Sequence, residues 1–216
     1  MTDTPIDPAI ALSHAERGRG LLAAGRDVEA LEAFERAAWL APQDPRIQWA
    51  LANTLWRVGR GEEAVRVYER VIELLPSEAA PRCNLAEVLA MMGRVMDARV
   101  QIAAARALAA DDPHLYLAEG IVRLAQYRPA AAEEAARLAI ASGILPKFAY
   151  LNLGDALLVQ GRTAEALAAY RVARQHCAAA DLAVMRQDLA WLGRVYGELP
   201  GHAGALACFA AESPRR

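Results

Sequence analysis

The residues that could do chemistry in this chain are four histidines, three cysteines and one glycine-rich stretch, and their spacing argues against catalysis. His14, His114, His176 and His202 form no pair four residues apart on a helix, and none begins an H-E-x-x-H pattern. That pattern would set two imidazoles on one helix face to hold zinc, with a carboxylate as base. Cys83, Cys177 and Cys208 are odd in number and far apart, so they offer neither a disulfide framework nor a metal knuckle. Each reads as a buried or groove-edge thiol rather than a nucleophile. Arg17-Gly18-Arg19-Gly20 has the glycines of a phosphate loop but lacks both the P-loop lysine and the dinucleotide fingerprint. No G-x-S-x-G elbow occurs. The expectation is a chain with no catalytic residues, no metal and no cofactor.

Composition narrows the field further. The 216 residues are 55% hydrophobic and 23% charged, enough apolar material to bury a core. The formal charge is -2, with nothing to draw the chain to nucleic acid or to an anionic membrane surface. Basic residues are arginine except for Lys147, which with the abundant alanine reads as compositional bias. The start, MTDTPIDPAI, has neither the basic nor the apolar region of a signal peptide, and no apolar run is long enough to span a membrane. With the cysteine usage, this predicts a reducing cytoplasm.

What would position any functional side chain is a period of 34 residues. Ala30, Ala64, Ala98, Ala132 and Ala166 mark it, and so do Gly18, Ala52, Ala86, Gly120 and Gly154. Gly25, Gly59, Gly93, Tyr127 and Gly161 form a third ladder; Leu21, Leu55, Leu89 and Leu157 form a fourth, interrupted by Arg123. Small residues midway along a first helix and early in a second let the two approach closely. The third ladder sits where the first helix must stop, a position that favours glycine. Asp27 and Thr163 are placed to cap second helices, while Asp7-Pro8, Asp44-Pro45 and Asp112-Pro113 combine a cap with a proline suited to the first helical position.

These residues make the chain resemble the tetratricopeptide repeat family, whose pattern is a 34-residue helix pair with W-x2-L-G-x2-Y, then alanine, an aromatic, alanine and proline. Repeat 5 matches through Tyr150, Leu153, Gly154, Leu157, Gly161, Ala166, Tyr170 and Ala173. Repeat 4 departs: Glu119 and Arg123 replace apolar residues, Tyr127 the turn glycine and Ala136 the aromatic. A sixth repeat returns after a five-residue slip through Leu192, Gly193, Tyr196, Ala205 and Phe209. The resemblance implies an all-α fold, a right-handed α-solenoid superhelix of antiparallel helix pairs. Repeats are expected near 11–44, 45–78, 79–112, 113–146, 147–180 and 186–212, between tails at 1–8 and 213–216. First helices would line the concave side.

By register, the resemblance assigns a peptide or protein groove to Trp49, Asn53, Trp56 and Arg57 of repeat 2, and to Asn84, Glu87 and Met91 of repeat 3. Leu117 and Ile121 follow from repeat 4, and Asn152 and Asp155 from repeat 5. Trp49 and Trp56, seven apart, share one helix face and are large enough to anchor a partner. A carboxamide both donates to and accepts from a peptide unit, which suits backbone binding by Asn53, Asn84 and Asn152. Trp49, His114 and Ala118 replace the cations with which the family's chaperone-binding members grip a C-terminal carboxylate. The implied role is a non-catalytic protein-binding adaptor or scaffold. A dedicated chaperone or maturation factor, and a regulatory subunit of a separate transferase, are the alternatives. The apolar end around Ala205, Leu206 and Phe209 suggests self-association through the last repeat.

Overall fold

The computed structural model describes residues 8–143 and 145–210. Twelve α-helices and no strands are found among the described residues. The first ten make five antiparallel pairs: α1 (Pro8–Ala23) with α2 (Asp27–Leu40), α3 (Pro45–Arg57) with α4 (Gly61–Leu74), α5 (Ala80–Met91) with α6 (Val95–Leu108), α7 (Pro113–Ala125) with α8 (Pro129–Ala141), and α9 (Pro146–Val159) with α10 (Thr163–Gln175). Each second helix packs on the first helix of the next pair, so one continuous apolar core runs along the stack. The chain is a TPR-like all-α solenoid.

The repeated residues act as their spacing predicts. Ala30, Ala64, Ala98, Ala132 and Ala166 are completely buried where each pair crosses. A Cβ on Gly18 would lie 2.8 Å from the Phe34 ring, and one on Gly154 would collide with Tyr170. Only glycine therefore lets those aromatics sit under the first helix. Four of the five turns take their positive φ at glycine; the fourth takes it at Tyr127, with φ 57°. In all five, the next residue's N–H reaches back to the carbonyl five positions earlier, as Arg26 does to Leu21 and Arg128 to Arg123, which closes the first helix.

Asp44 and Asp112 cap their helices, accepting from the backbone N–H of Arg46 and His114 at 2.9 Å. Asp27 and Thr163 do not cap. The short turn leaves Arg26 and Arg162 at the cap positions, and neither side chain caps. A side chain caps from a residue still outside the helical conformation; Asp27 and Thr163 are already the first helical residues. Asp27 binds Arg57 instead, and the Thr163 hydroxyl donates to the Pro200 carbonyl. Asp7 lies outside the described residues.

Repeat 4 keeps the fold by substitution. Glu119 is buried and held by Arg106 and Arg123, and Arg123 also donates to the Ala131 carbonyl at 2.9 Å. With Ala136 in place of an aromatic, the space beside Gly120 is filled by Asn152 from α9.

The last two helices, α11 (Asp181–Tyr196) and α12 (His202–Cys208), leave the stacking scheme. The short α12 packs on α10, with Phe209 edge-on to Tyr170 at 5.9 Å. Ala205 and Phe209 are thus spent inside the chain rather than on an exposed end. The longer α11 turns into the hollow of the solenoid.

Candidate functional site

Four first helices converge on α11. Arg57, at the end of α3, donates to the Ala180 carbonyl at 3.2 Å, and Gln187 reaches the Trp56 carbonyl at 3.5 Å. From α7 the Leu124 carbonyl accepts the Tyr196 hydroxyl at 2.6 Å, and the Tyr127 ring meets Tyr196 edge-on at 5.3 Å. Lys147 of α9 pairs with Asp181 at 2.7 Å. Glu87 of α5 and Asp155 of α9 are close enough to Asp188 to act on its ionisation. Elements so far apart in sequence can meet one helix only by curving around it, so the first helices line the concave face and α11 lies along it. A shallow cavity remains where the start of α11 approaches Gly25 and Asp27 of the first repeat.

The sequence-predicted groove residues divide accordingly. Trp49, Trp56 and Met91 are half-buried and pack against the core, Trp56 beside Gly61 between repeats 2 and 3. Arg57 binds both carboxylate oxygens of Asp27 at 2.7 and 3.0 Å while its Nε is buried without a partner. Leu117 packs with Ala139 and Ala149, and Ile121 is buried in the main core. Asn152 is buried and donates its side-chain N–H to the Leu117 carbonyl at 3.0 Å, stitching repeat 4 to repeat 5. Asn84 lies beside Tyr68, and Glu87 and Asp155 lie near Asp188 of α11.

Glu87 and Asp155 follow one register. Asn53, Glu87, Ile121 and Asp155 are each 34 apart, as are Tyr68, Ile102, Ala136 and Tyr170. In repeat 2 the Tyr68 hydroxyl donates to Asn53 Oδ1, and in repeat 5 the Tyr170 hydroxyl donates to Asp155 Oδ1 at 2.8 Å. Repeat 4 has neither partner. Repeat 3 has the acid without the hydroxyl, because Ile102 stands where the tyrosine would be. Burial alone acts on the Glu87 carboxyl and pushes it up to about 8. Asp155 is pushed up to about 7, burial outweighing the tyrosine's hydrogen bond, and its Oδ2 has no partner. Asp188 rises well above the carboxylate range through burial and the neighbouring Asp155 and Glu87.

The thiols are no better prepared for chemistry than their spacing suggests. Burial pushes Cys83 up to about 12 and raises Cys177 and Cys208. No cluster of three His, Cys, Asp or Glu residues able to hold a metal is found among the described residues. No helix among them is long and apolar enough to cross a membrane.

Two features escaped the reading of the sequence. One is a further ladder at the same step, Arg26, Arg60, Arg94, Arg128 and Arg162, four of which pair with the acid three residues on. Its period made it findable. The other is Asp188, an acid in the middle of an apolar helix face, whose neighbours only the fold brings together.

Tetratricopeptide repeat models match residues 45–88 and 117–181. Among solved structures, a thermophilic repeat protein of Thermus thermophilus is 24% identical with a TM-score of 0.70, covering 91% of this chain and 99% of its own. PilW, a type IV pilus biogenesis factor, is 14% identical with a TM-score of 0.61 over 93% of this chain and 90% of its own. PilF of Pseudomonas aeruginosa is 18% identical with a TM-score of 0.57 over 93% and 89%. At these identities the likeness is one of fold. No curated protein matches the sequence.

Proposed function

This chain belongs to the tetratricopeptide repeat family, a family of protein-interaction modules, and we propose that it is a non-catalytic adaptor holding a segment of a protein partner in its concave groove. The observation that carries the reading is α11 itself. A helix already lies along the first helices, its apolar residues Leu182, Met185, Leu189 and Leu192 buried in the continuous core. The lining therefore accepts an amphipathic helix, and α11 occupies that place until a partner takes it. Trp49 and Asn84 supply, respectively, apolar area and backbone hydrogen bonding at the groove wall.

Affinity capture from the native cell tests this with two sets of variants. Met185→Asp with Leu189→Asp drives α11 out of its seat and should increase the partner recovered. Trp49→Ala with Asn84→Ala should reduce it. Recovery indifferent to both sets would place the partner elsewhere on the chain and overturn the groove assignment.

A further inference from the structure

The seat of α11 is deep. At 100° per residue, its buried and half-buried positions run from Gln187 through Trp191, Leu192, Met185, Leu189 and Leu182 to Arg186, an arc of roughly 260°. Only Ala183, Ala190 and Arg194 on the opposite side are exposed. A helix resting on a flat surface covers a stripe little wider than 100°; here the first helices cover one side of α11, and α12 with Phe209 covers another, through His202 against Gly193 and Arg186 on the Phe209 carbonyl. The place α11 fills is helix-shaped on both covered sides.

The charge does not suit this particular helix. Asp188 falls within the covered arc, between Trp191 and Leu192, and lies near Glu87 of α5 and Asp155 of α9. None of the three is offset by a cation. The basic groups around the seat are engaged elsewhere: Arg57 with Asp27, Lys147 with Asp181, and Arg186 with the Phe209 carbonyl at 2.8 Å. Asp155 is completely buried and its Oδ2 accepts nothing. Glu87 lacks the tyrosine that serves the equivalent residue in repeats 2 and 5. Two first helices thus present acceptors to the groove axis, and α11 meets them with a third acid.

We propose that the groove selects an amphipathic helix of a protein partner that carries lysine or arginine at the level where α11 carries Asp188, and that α11 is a deliberately poorer occupant held there by its tether. The inference rests on the groove reading above. A cation at that level pairs with Glu87 and Asp155 and satisfies the orphaned Oδ2, whereas Asp188 must keep a proton to stay. Apolar residues spaced like Leu182, Met185, Leu189 and Leu192 supply the rest of the contact. The partner gains from the ion pairs what it lacks in effective concentration against a tethered competitor.

Synthetic peptides of residues 181–196 test this against the full chain, read by fluorescence anisotropy at pH 7.5. One has the native sequence, one carries Asp188→Asn and one Asp188→Lys. The lysine peptide should bind at least tenfold more tightly than the native one, with the asparagine peptide between them. Glu87→Gln in the full chain should reduce the lysine preference severalfold. Charge-blind binding, or a preference that survives Glu87→Gln, overturns the selection proposed here and leaves the groove reading intact; no binding by any peptide overturns both. In parallel, Asp188→Lys in the full chain should slow hydrogen exchange of α11 amides severalfold relative to Asp188→Asn, and equal or faster exchange overturns the proposal independently of peptide access.

Discussion

The five stacked pairs and the helix in their hollow bury apolar faces of similar kind, yet they are built to different standards. In the stack, close approach is enforced by Gly18, Gly154 and the fully buried alanines, and Tyr68 and Tyr170 find acceptors. The one buried acid of its worn repeat, Glu119, has two arginines. Under α11, by contrast, Glu87, Asp155 and Asp188 share a space with no cation to offset them. Unpaired buried acids are tolerated only where their neutral forms are held at a cost. The difference is the one expected if the stack is a permanent scaffold and the seat of α11, as proposed above, an exchangeable one.

Breaking the stack should cost most. Tyr170→Ala empties the buried site beneath Gly154, removes the edge contact with Phe209 and deprives Asp155 of its donor. About 3–5 kcal/mol should be lost from the global transition, as for other fully buried aromatics, measured by urea denaturation. Met185→Asp with Leu189→Asp strikes apolar residues of α11 that are just as buried. Here the global midpoint should move far less, while limited proteolysis cleaves within 181–196 at least tenfold faster than in the parent chain. If both sets of variants unfold the whole chain together, α11 is part of the scaffold and the contrast fails.

A change of pH sharpens the comparison. Glu87 and Asp155 hold protons more firmly folded than unfolded, so their stabilising contribution is complete in acid and is lost as pH rises from the ordinary carboxylate range through about 7 to 8, and Asp188 is shifted in the same direction. Between pH 5 and 8, α11 should lose stability on the order of 1–3 kcal/mol relative to the stack, seen as faster hydrogen exchange confined to α11. Glu87→Gln with Asp188→Asn should flatten that profile. The smallest effect is expected for Tyr127→Gly. Glycine relieves the positive φ, gaining about 1 kcal/mol, and loses the ring contact with Tyr196, a loss of about 0.5–1.5 kcal/mol. Global stability should stay within about 1 kcal/mol by these opposing terms, while the end of α11 exchanges faster.

Much of the groove was legible in the register but not its occupancy. Asn53, Glu87 and Asp155 share one repeat position, and two of them, Glu87 and Asp155, come near Asp188 of α11. Asn152, at another, is drawn into the joint between repeats because Gly120 has no aromatic of its own repeat to cover it. Leu117 and Ile121 are buried likewise. A register position says which way a side chain points, and the neighbouring repeat decides what it meets.

The sequence by itself determined the helix pairs, their turns and the step between them. Each of those features depends on residues within a few dozen positions: a glycine that accepts positive φ, an alanine at a crossing, an aspartate and proline at a helix start. Only the tertiary structure decided where α11 goes. Its leucines and methionine would serve equally on the end of a stack or inside one. The choice is made by a curvature that sums small rotations over five repeats, and by three carboxyls that share no sequence neighbourhood until that curvature brings them together.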